Sequence, residues 1–385
     1  MTDSVSREMK KSSLLLLFTR NVSLKQWVDS GLFYREKLLY ERFIKEEIIG
    51  SVIWATYGGS SDAEMASMLI KEGKLDPRIK VITKPGWWIF GNFTYSLFLA
   101  IIHFDSIKKV DFIKSNQLDG AWAGGIAKIL NPATKFILRS GYNLLFLYLK
   151  ERKFAKYHFF RILLKLPVSR ADYIIVTSQD HKDYFIDHYS LLDEKIQVIG
   201  NYIDQTKFGP RPLDLNRRTV FLGRFEQIKN VINLIDAAIE EDIQLDLIGK
   251  GSLQPMIEAK IKDHPNIRVL GTFPNDQIPF LLQQYTFFMM PSYSEGNPKA
   301  LLEAMSVGLV SVGTKVPGIQ EILEDGFNGI IAGSTDVASL RAAMIRTKTE
   351  DIASLQKMSQ NARAYIQKNH TLDSIVKTEA SLIGY

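Results

Sequence analysis

The sequence predicts an α/β protein made of two doubly wound domains, each a parallel sheet with helices on both faces. Short apolar runs alternate with amphipathic helical patterns along the chain, and this alternation is typical of βαβ units. A length of 385 residues suits two domains of ordinary size, each long enough to bury its own core. An apolar fraction of 46% with 23% charged residues indicates a folded rather than a disordered chain.

The first domain is predicted to begin with a buried strand at 14–18, after a polar tail. This apolar run is too short for a signal peptide, and no small-residue cleavage site follows it. Strand and helix patterns then alternate to the end of the domain. The predicted strands are 14–18, 51–56, 80–84, 112–116, 136–138, 173–180 and 196–204, and the helices include 32–47, one after Asn92 and 120–130.

An apolar stretch at 87–104 is close to the lower length limit for a membrane span. Small and polar residues interrupt it, so a buried helix is the favoured interpretation. The interrupting residues are Gly91, Asn92, Thr94, Ser96 and His103.

The second domain is predicted to follow a hinge at 205–217, where Gly209, Pro210 and Pro212 disfavour regular structure. A strand and a helix are expected within 309–323, with Thr314, Pro317 and Gly318 in the loop between them. The tail from Glu350 onward is expected to be helical. The other predicted strands are 219–224, 245–251, 267–273 and 287–292.

Two glutamates, Glu295 and Glu303, flank a turn in the stretch 291–308. Pro298 suits the first turn of a helix, and apolar residues at helical spacing follow it. We therefore place Glu295 in the loop before the helix and Glu303 in its second turn. The positive helix end then points to a position between two carboxylates, which suits an anion flanked by hydroxyl groups, such as a sugar phosphate. The alternative is a surface turn followed by a buried helix without a chemical role.

The stretch 221–230 adds two cations to this pattern. A predicted strand ends at Gly223, and Arg224 and Lys229 follow before the next helix. Arginine and lysine beside a helix N-terminus favour phosphate oxygens. The two stretches together predict a pyrophosphate site next to a sugar site.

At these residues the sequence resembles the GT-B glycosyltransferases of family 4, which are retaining enzymes that use nucleotide sugars. The family motif reads E-G-F-G-x-x-x-x-E, and this chain has Glu295-Gly296-Asn297-Pro298 up to Glu303. The resemblance covers most of 170–370 and is weaker before it. It implies a GT-B architecture of two Rossmann-like domains facing across a cleft. The implied parts are 1–204 for the acceptor, the hinge at 205–217, 218–370 for the nucleotide sugar, and a C-terminal helix at 371–385 that packs back on the first domain.

The resemblance also implies roles for individual residues. Glu303 would hold the ribose hydroxyls, Glu295 the sugar hydroxyls, and Arg224 and Lys229 the diphosphate, with the base near 271–273. Backbone amides from Gly296 to Leu301 would face the sugar and phosphate. Arg224, Lys229 and Glu295 form the expected catalytic set. The expected donor-binding set is Gly223, Gly249, Gly271, Phe273, Gly296, Asn297, Pro298, Lys299, Ala300, Leu301 and Glu303.

Fewer sequence features indicate which residues would bind the acceptor. Arg20 lies in the predicted loop 19–31, after the first strand, which commonly faces the acceptor in GT-B enzymes, although the usual Gly-Gly pair is absent. A solvated arginine is the alternative. Many relatives carry a histidine after the strand at 136–138, where this chain has Arg139, Ser140 and Tyr142. Arg20, Arg139 and Tyr142 are therefore the acceptor-side candidates, and no histidine is assigned to catalysis.

The segment 142–170 interleaves cations with aromatic and aliphatic residues. If this segment is helical, it forms a basic amphipathic helix with aromatic residues, and such a helix can lie in the headgroup region of an anionic bilayer. A core helix with a solvated basic face is the alternative.

The expected function is transfer of a sugar from a nucleotide-diphosphate sugar to a saccharide or lipid-linked acceptor, in surface polysaccharide, lipopolysaccharide or glycolipid synthesis. No Asp-x-Asp motif occurs, so no obligatory metal or other cofactor is expected. A net charge of +6 favours anionic partners, no nucleic-acid-binding motif is present, and the absence of cysteine suits the cytoplasm, with peripheral contact at the inner membrane face. The alternatives are a nucleotide-sugar 2-epimerase and a non-catalytic subunit that binds a nucleotide sugar.

Overall fold

A computed structural model describes residues 12–142, 144–150, 152–209 and 212–384. The described chain divides into two compact units. The first contains the described residues up to Val176, Lys182–Val198 and those from Val376 onward, and the second contains Thr177–His181 and Ile199–Ile375. Residues 1–11 of the predicted polar tail lie outside the described residues, as do positions 210 and 211 of the predicted hinge.

Seven strands of the described chain form one parallel sheet in the order β3-β2-β1-β4-β5-β6-β7. Most apolar residues of the five inner strands are buried, as expected for strands covered on both faces, whereas the two edge strands are only partly buried. Their bounds are β1 Ser13–Leu17, β2 Ser51–Ala55, β3 Ile79–Ile82, β4 Phe112–Ser115, β5 Lys135–Ser140, β6 Tyr173–Val176 and β7 Ile196–Val198.

Helices connect these strands. Their bounds are α1 Leu24–Asp29, α2 Leu32–Lys45, α3 Ser60–Lys71, α4 Gly91–Ile102, α5 Phe104–Ile107, α6 Trp122–Leu130, α7 Leu144–Lys150, α8 Phe154–Leu163, α9 Lys165–Arg170 and α10 Gln179–Tyr189. A short 3₁₀ helix at Asp193–Lys195 precedes β7.

Six further strands among the described residues form a second parallel sheet in the order β10-β9-β8-β11-β12-β13. Successive residues of one strand pack into different core clusters: Phe287 and Met289 of β11 into one, Phe288 and Met290 into the other. This sheet is therefore covered on both faces. Its strands are β8 Thr219–Leu222, β9 Leu245–Ile248, β10 Ile267–Gly271, β11 Phe287–Met290, β12 Val310–Thr314 and β13 Gly329–Ala332.

The helices that follow in the chain are named in the same way. They are α11 Val231–Glu240, α12 Gln254–Ile261, α13 Ile278–Leu282, α14 Lys299–Val307, α15 Pro317–Gln320, α16 Val337–Thr349, α17 Ile352–Asn369 and α18 Leu372–Leu382, with a 3₁₀ turn at Gln227–Lys229. The helical tail is thus present.

Both sheets reverse their strand order at one point, between β1 and β4 in the first and between β8 and β11 in the second. Open α/β sheets bind ligands outside the carboxyl ends of the strands at such a switch point. The predicted fold class of two doubly wound parallel sheets is confirmed, and each sheet offers one preferred position for a site.

Several local expectations differ from the structure. The predicted loop 19–31 contains α1, because Ser23 caps it and Gln26 completes a capping box. The strand predicted at 136–138 extends to Ser140, so Arg139 lies within β5. Strand β13, which was not predicted, is a four-residue edge strand whose short apolar run has no periodicity of its own.

The boundaries at 310–320 also differ. Thr314 is the last residue of β12, and Pro317 and Gly318 open α15 rather than lying in a loop. Proline is favoured at the first helical position because it has no N–H to satisfy there.

The segment 87–104 is only partly buried. In α4 Leu99 and Ala100 are buried, whereas Phe98 and Ile101 on another side are exposed. The prediction of a buried helix is therefore wrong for one face. Of the helices that the structure describes, none is both long enough and apolar enough to cross a membrane.

His181 in α10 supplies a pH-dependent contribution to stability. Its side chain is buried, and burial lowers its pKa from 6.5 to about 4. The unfolded chain therefore binds this proton at higher pH than the folded chain does, so stability is present above pH 6.5 and falls toward pH 4. We expect the free energy of unfolding to drop by about 2 kcal/mol between pH 7 and pH 5 from this residue.

Urea unfolding followed by circular dichroism at the two pH values measures this effect. The His181→Gln variant should lose about 2 kcal/mol less than the wild type over this range. His188→Gln, at an exposed position of the same helix, serves as the control and should behave like the wild type. Equal pH dependence in wild type and His181→Gln would contradict the assignment.

Candidate functional site

Two loops leave the second sheet at its switch point, 223–230 after β8 and 291–298 after β11. Asn230 connects them. It is buried, adopts a left-handed backbone conformation (φ 55°), and its side-chain amide donates to the carbonyl oxygens of Pro291 at 3.0 Å and Thr335 at 2.7 Å. The amide of Tyr293 donates to the carbonyl oxygen of Ile228 at 2.9 Å. The two loops are therefore held in one arrangement.

This arrangement brings together Lys229 and Glu295. Lys229 Nζ lies 2.6 Å from Glu295 Oε1, and Ser292 Oγ donates to the same oxygen at 2.6 Å. Thr314 Oγ1, at the end of β12, donates to the carbonyl oxygen of Ser292 at 2.7 Å. The Lys229 and Glu295 side chains are 19% and 10% exposed, so the pair is reachable from solvent yet fixed in position.

Helix α14 begins directly after this pair. Pro298 precedes the helix as its N-cap, with φ −71° and ψ 110°, rather than lying in the first turn. Its extended ψ places it one residue before the helix, where a missing N–H is equally harmless. Glu303 is in the second turn as predicted, almost fully buried, with Lys299 Nζ 3.7 Å from its Oε1.

The backbone amides at this helix end are not all available to a ligand. The amide of Leu301 donates to the carbonyl oxygen of Pro298 at 3.1 Å. Leu301 was expected to offer its amide to the sugar and phosphate, but this bond already uses it. Its side chain is buried in the core under the helix.

Gly318 supports the loop from the side of α15. A Cβ atom at this position would lie 2.2 Å from the carbonyl oxygens of both Glu295 and Gly296. The backbone of α15 therefore touches the loop that carries the site. From the sequence, Gly318 was expected in a loop and without a role, because a close backbone approach leaves no pattern in the sequence beyond the glycine itself.

Asn297 is anchored by Asn201. The amide of Asn201 donates to Asn297 Oδ1 at 2.7 Å, and Asn201 Nδ2 donates to the carbonyl oxygen of Asn297 at 2.7 Å. His370 Nδ1 donates to the carbonyl oxygen of Asn201 at 2.8 Å, and burial lowers the His370 pKa. This arrangement fixes the turn between the two glutamates from behind.

The predicted glycines lie at the ends of three neighbouring strands. The amide of Gly223 donates to the carbonyl oxygen of Ile248 at 3.0 Å, and that of Gly249 to Gly271 at 2.7 Å. Gly249 has φ +145°, and a Cβ there would lie 1.9 Å from the carbonyl oxygen of Gly223. Glycine is therefore required at 249. Phe273 is half-buried and packs on the core below this edge.

Arg224 is placed differently from Lys229. It is exposed, and within the described chain its side chain makes no hydrogen bond or ion pair with Lys229 or Glu295. The pKa of Glu226 is lowered, chiefly by the hydrogen bonds that its carboxylate accepts from Ser252 and to a smaller extent by the positive charge of Arg224. Arg224 thus lies exposed at the rim of this loop, outside the hydrogen-bonded group of Lys229, Glu295 and Ser292.

The acceptor-side candidates lie in the first unit. Arg20 is not a solvated arginine: its Nε and Nη2 donate to both carboxylate oxygens of Asp119 at 2.7 and 3.0 Å, and its guanidinium lies 5.7 Å from the ring centroid of Phe93. Arg20 follows β1 and Asp119 follows β4, so this pair occupies the switch point of the first sheet. Asp119 was not predicted, because a salt bridge across 99 residues leaves no local signal.

Tyr142 and Arg139 are separated from one another by the end of β5. Tyr142 follows the strand and is exposed, whereas Arg139 is inside it, with its amide donating to Ser115 Oγ at 3.0 Å. Lys114 of β4 is buried, and burial lowers its pKa; the positive charge of Arg139 acts in the same direction. In the residues that the structure describes, no group of three or more metal-binding side chains is placed to hold an ion.

Two family models match consecutive parts of the chain. The model for glycosyltransferase family 4 matches residues 51–207, and the model for glycosyl transferases group 1 matches residues 205–365.

Two similar proteins match this chain over part of their length. A UDP-Gal:α-D-GlcNAc-diphosphoundecaprenol α-1,3-galactosyltransferase of Escherichia coli is 27% identical over 212 residues, which cover 49% of this chain and 54% of that protein. An uncharacterised glycosyltransferase of Methanocaldococcus jannaschii is 31% identical over 128 residues, 33% of this chain and 36% of that protein. The chain thus spans between about a third and just over half of these relatives.

Solved structures match over nearly the whole chain. HepE from Anabaena, in complex with UDP, matches with a TM-score of 0.74 and 18% identity, covering 97% of this chain and 99% of that one. Sucrose-phosphate synthase from Thermosynechococcus elongatus matches with a TM-score of 0.75 and 16% identity, covering 97% of this chain and 98% of that one. The fold, the two matched models and the motif at 295–303 lead to one conclusion: the chain belongs to the GT-B glycosyltransferases of family 4.

Proposed function

We propose that this protein transfers a sugar from a nucleotide-diphosphate sugar to a saccharide or lipid-linked acceptor, with retention of the anomeric configuration. The observation that carries the proposal is the Lys229–Glu295 pair, held by Ser292 at the switch point of the second sheet and beside the start of α14. A cation, a carboxylate and a helix N-terminus in one place suit a phosphorylated sugar, because they match both its charge and its hydroxyl groups.

The roles follow from this placement. Lys229, with Arg224 turning in from the rim, would stabilise the diphosphate as the bond from the anomeric carbon to its phosphate oxygen breaks. Glu295 would accept hydrogen bonds from the sugar hydroxyls, and Glu303 from the ribose. The acceptor oxygen forms the new bond to the anomeric carbon on the face that the diphosphate leaves, and its proton passes to the departing phosphate oxygen. No metal is needed in this scheme.

The ligands and substrates named for similar proteins indicate which donors and acceptors to test first. HepE was solved with UDP, and the name of the Escherichia coli relative specifies a UDP-sugar donor and a diphosphoundecaprenol-linked acceptor. We therefore expect a UDP-sugar donor and an acceptor in polysaccharide, lipopolysaccharide or glycolipid synthesis. Such a role suits a cytoplasmic protein in peripheral contact with the inner face of the membrane through the segment 142–170.

A panel of UDP-sugars tests the proposal. The rise in melting temperature of the protein measures binding of each UDP-sugar, and release of UDP in the presence of each acceptor then measures transfer. Lys229→Ala should lower kcat/KM by about 100-fold or more, as for removal of a charge-stabilising donor. Lys368→Ala, at an exposed position near the end of α17, is the control and should match the wild type. Arg224→Ala should also lower kcat/KM.

Three outcomes would contradict the proposal. Transfer at the wild-type rate by Lys229→Ala would remove Lys229 from the reaction. An inverted anomer in the product, seen by NMR, would exclude retention. An isomerised sugar in place of released UDP would indicate an epimerase.

A further inference from the structure

An exposed apolar surface in the first unit is not explained by the proposed sugar transfer. It comprises Trp87, Ile89 and Phe90 in the loop before α4, Phe98 and Ile101 on α4, and Ile162 on α8; we call it the aromatic face. Their exposed fractions are large: 82% for Ile89, 70% for Ile162 and 68% for Phe90. Single exposed apolar residues are common, but a contiguous group of them indicates an interaction site.

Ring contacts join the parts of this face. Trp88 is half-buried and anchors the loop, with its ring 5.5 Å from Phe90 and 5.7 Å from Phe98. Phe93 of α4 contacts Phe159 of α8 at 5.8 Å. Ile162 lies three residues after Phe159, on the same side of α8. The loop, α4 and α8 therefore present one surface.

Helix α8 has its outer side apolar and its flanks cationic. Phe154, Phe159 and Ile162 are exposed, so the side that faces solvent is apolar and the predicted solvated basic face is only part of it. Lys156 and Arg161 lie to either side of that stripe at helical spacing. The described residues 152–170 contain no acid, and their cations are all exposed: Arg152, Lys153, Lys156, Arg161, Lys165 and Arg170.

We infer that the aromatic face inserts into the headgroup region of an anionic lipid bilayer, with the cations of α8 and α9 on the lipid phosphates. Aromatic and aliphatic side chains flanked by cations suit this boundary, since the rings enter the apolar layer while the charges stay with the headgroups. A second copy of the chain is a poor occupant, because it would bring six cations against six others.

The inference deepens the proposed function, because it supplies the contact through which a lipid-linked acceptor would be reached. It extends the apolar part of that contact from α8 to the loop 87–90 and α4, which lie outside the basic segment 142–170. Binding to lipid, however, requires neither donor nor acceptor. It can therefore be tested separately from sugar transfer.

Flotation of the full chain with vesicles tests the binding. One set of vesicles is phosphatidylcholine alone, and in the other about a third of the lipid is phosphatidylglycerol, which supplies the negative charge. The protein should bind the anionic set at least about 25-fold more tightly, since each cation near the surface contributes about five-fold and the inference places at least two of them there.

Two variants separate the apolar and charged parts. Ile89→Glu/Phe90→Glu should lower binding to the anionic vesicles by about ten-fold or more, because two exposed apolar side chains can no longer insert. Lys156→Glu/Arg161→Glu should lower it by about 25-fold or more, at five-fold per cation removed. Phe280→Glu, at a residue of the second unit that is 61% exposed, is the matched control and should bind normally. UDP-sugar stabilisation and transfer to a soluble saccharide should be unchanged in all three.

Tryptophan fluorescence adds a direct readout of insertion. Trp27, Trp54 and Trp122 are buried in the core, so a lipid carrying bromine in its chains can quench mainly Trp87, with a contribution from Trp88. Quenching should occur in the wild type and be largely lost in Trp87→Phe. Absence of binding to anionic vesicles would overturn the inference. So would equal binding by Ile89→Glu/Phe90→Glu and the wild type, or a lipid-free dimer that this variant abolishes.

Discussion

The Gly318→Ala variant is expected to lose about 100-fold or more in kcat/KM while remaining folded. The added Cβ would lie 2.2 Å from the carbonyl oxygens of Glu295 and Gly296, and both are backbone atoms that cannot rotate away. Since carbon and oxygen need well over 3 Å, the loop must move by about 1 Å, and a displacement of this size in a positioning element can cost about 100-fold.

This loop carries the carboxylate that pairs with Lys229, so its displacement breaks the arrangement proposed to hold the donor. Thermal stabilisation by the UDP-sugar measures donor binding, and initial rates measure transfer. Both should fall together.

Gly333→Ala is the matched control. The nearest atom to a Cβ at Gly333 is Ser339 Oγ at 4.0 Å, so the methyl group fits without movement. This variant should bind donor and transfer sugar as the wild type does. Normal activity in Gly318→Ala would show that the position of the Glu295 loop is not critical, and the proposed site would have to be abandoned.

Glu379→Gln is expected to destabilise the first unit by about 3–5 kcal/mol. Lys114 of β4 and Glu379 of α18 form an ion pair in which the side chains are only 2% and 6% exposed. Burial lowers the pKa of Lys114, because the ammonium has lost its water. Removing one partner leaves the other charge uncompensated in the interior, and such losses cost about 3–5 kcal/mol.

The tryptophans provide a selective probe for this measurement. All five of the chain's tryptophans precede Val176, so urea unfolding followed by tryptophan fluorescence reports on the first unit. The double variant Lys114→Met/Glu379→Leu should recover most of the lost stability, because apolar side chains of similar size can pack against one another and leave no buried charge. Lys25→Met, which breaks an ion pair whose side chains are more than half exposed, is the control and should leave stability unchanged.

If the double variant is as unstable as Glu379→Gln, the loss has another cause, such as the packing of α18. If Lys25→Met is equally destabilising, burial is not what makes the Lys114–Glu379 pair important.

Local pattern was enough to predict most of the fold. Strands such as β8 and β11 are continuous apolar runs because helices cover both of their faces, and such runs are visible in the sequence. Helix α1 and strand β13 were missed. The first depends on a capping box around six residues, and the second is a short edge strand, so neither has a clear period.

The candidate site was predictable where its residues share one loop. Glu295 and Glu303 could be placed on either side of a helix start because Pro298 marks that start. The meeting of Lys229 with Glu295 could only be expected by resemblance, since 66 residues separate them.

By itself, the sequence determined that two parallel α/β sheets would form, that helices would cover them and that α14 would begin between two glutamates. These properties depend on apolar periodicity and turn chemistry within a few residues. Only the tertiary structure decided that Asn230 joins the two loops, that Gly318 touches one of them, that Asp119 holds Arg20 and that Phe98 and Ile101 face outward. Each of these depends on which strands and helices become neighbours, and that is set by the packing of the whole sheet.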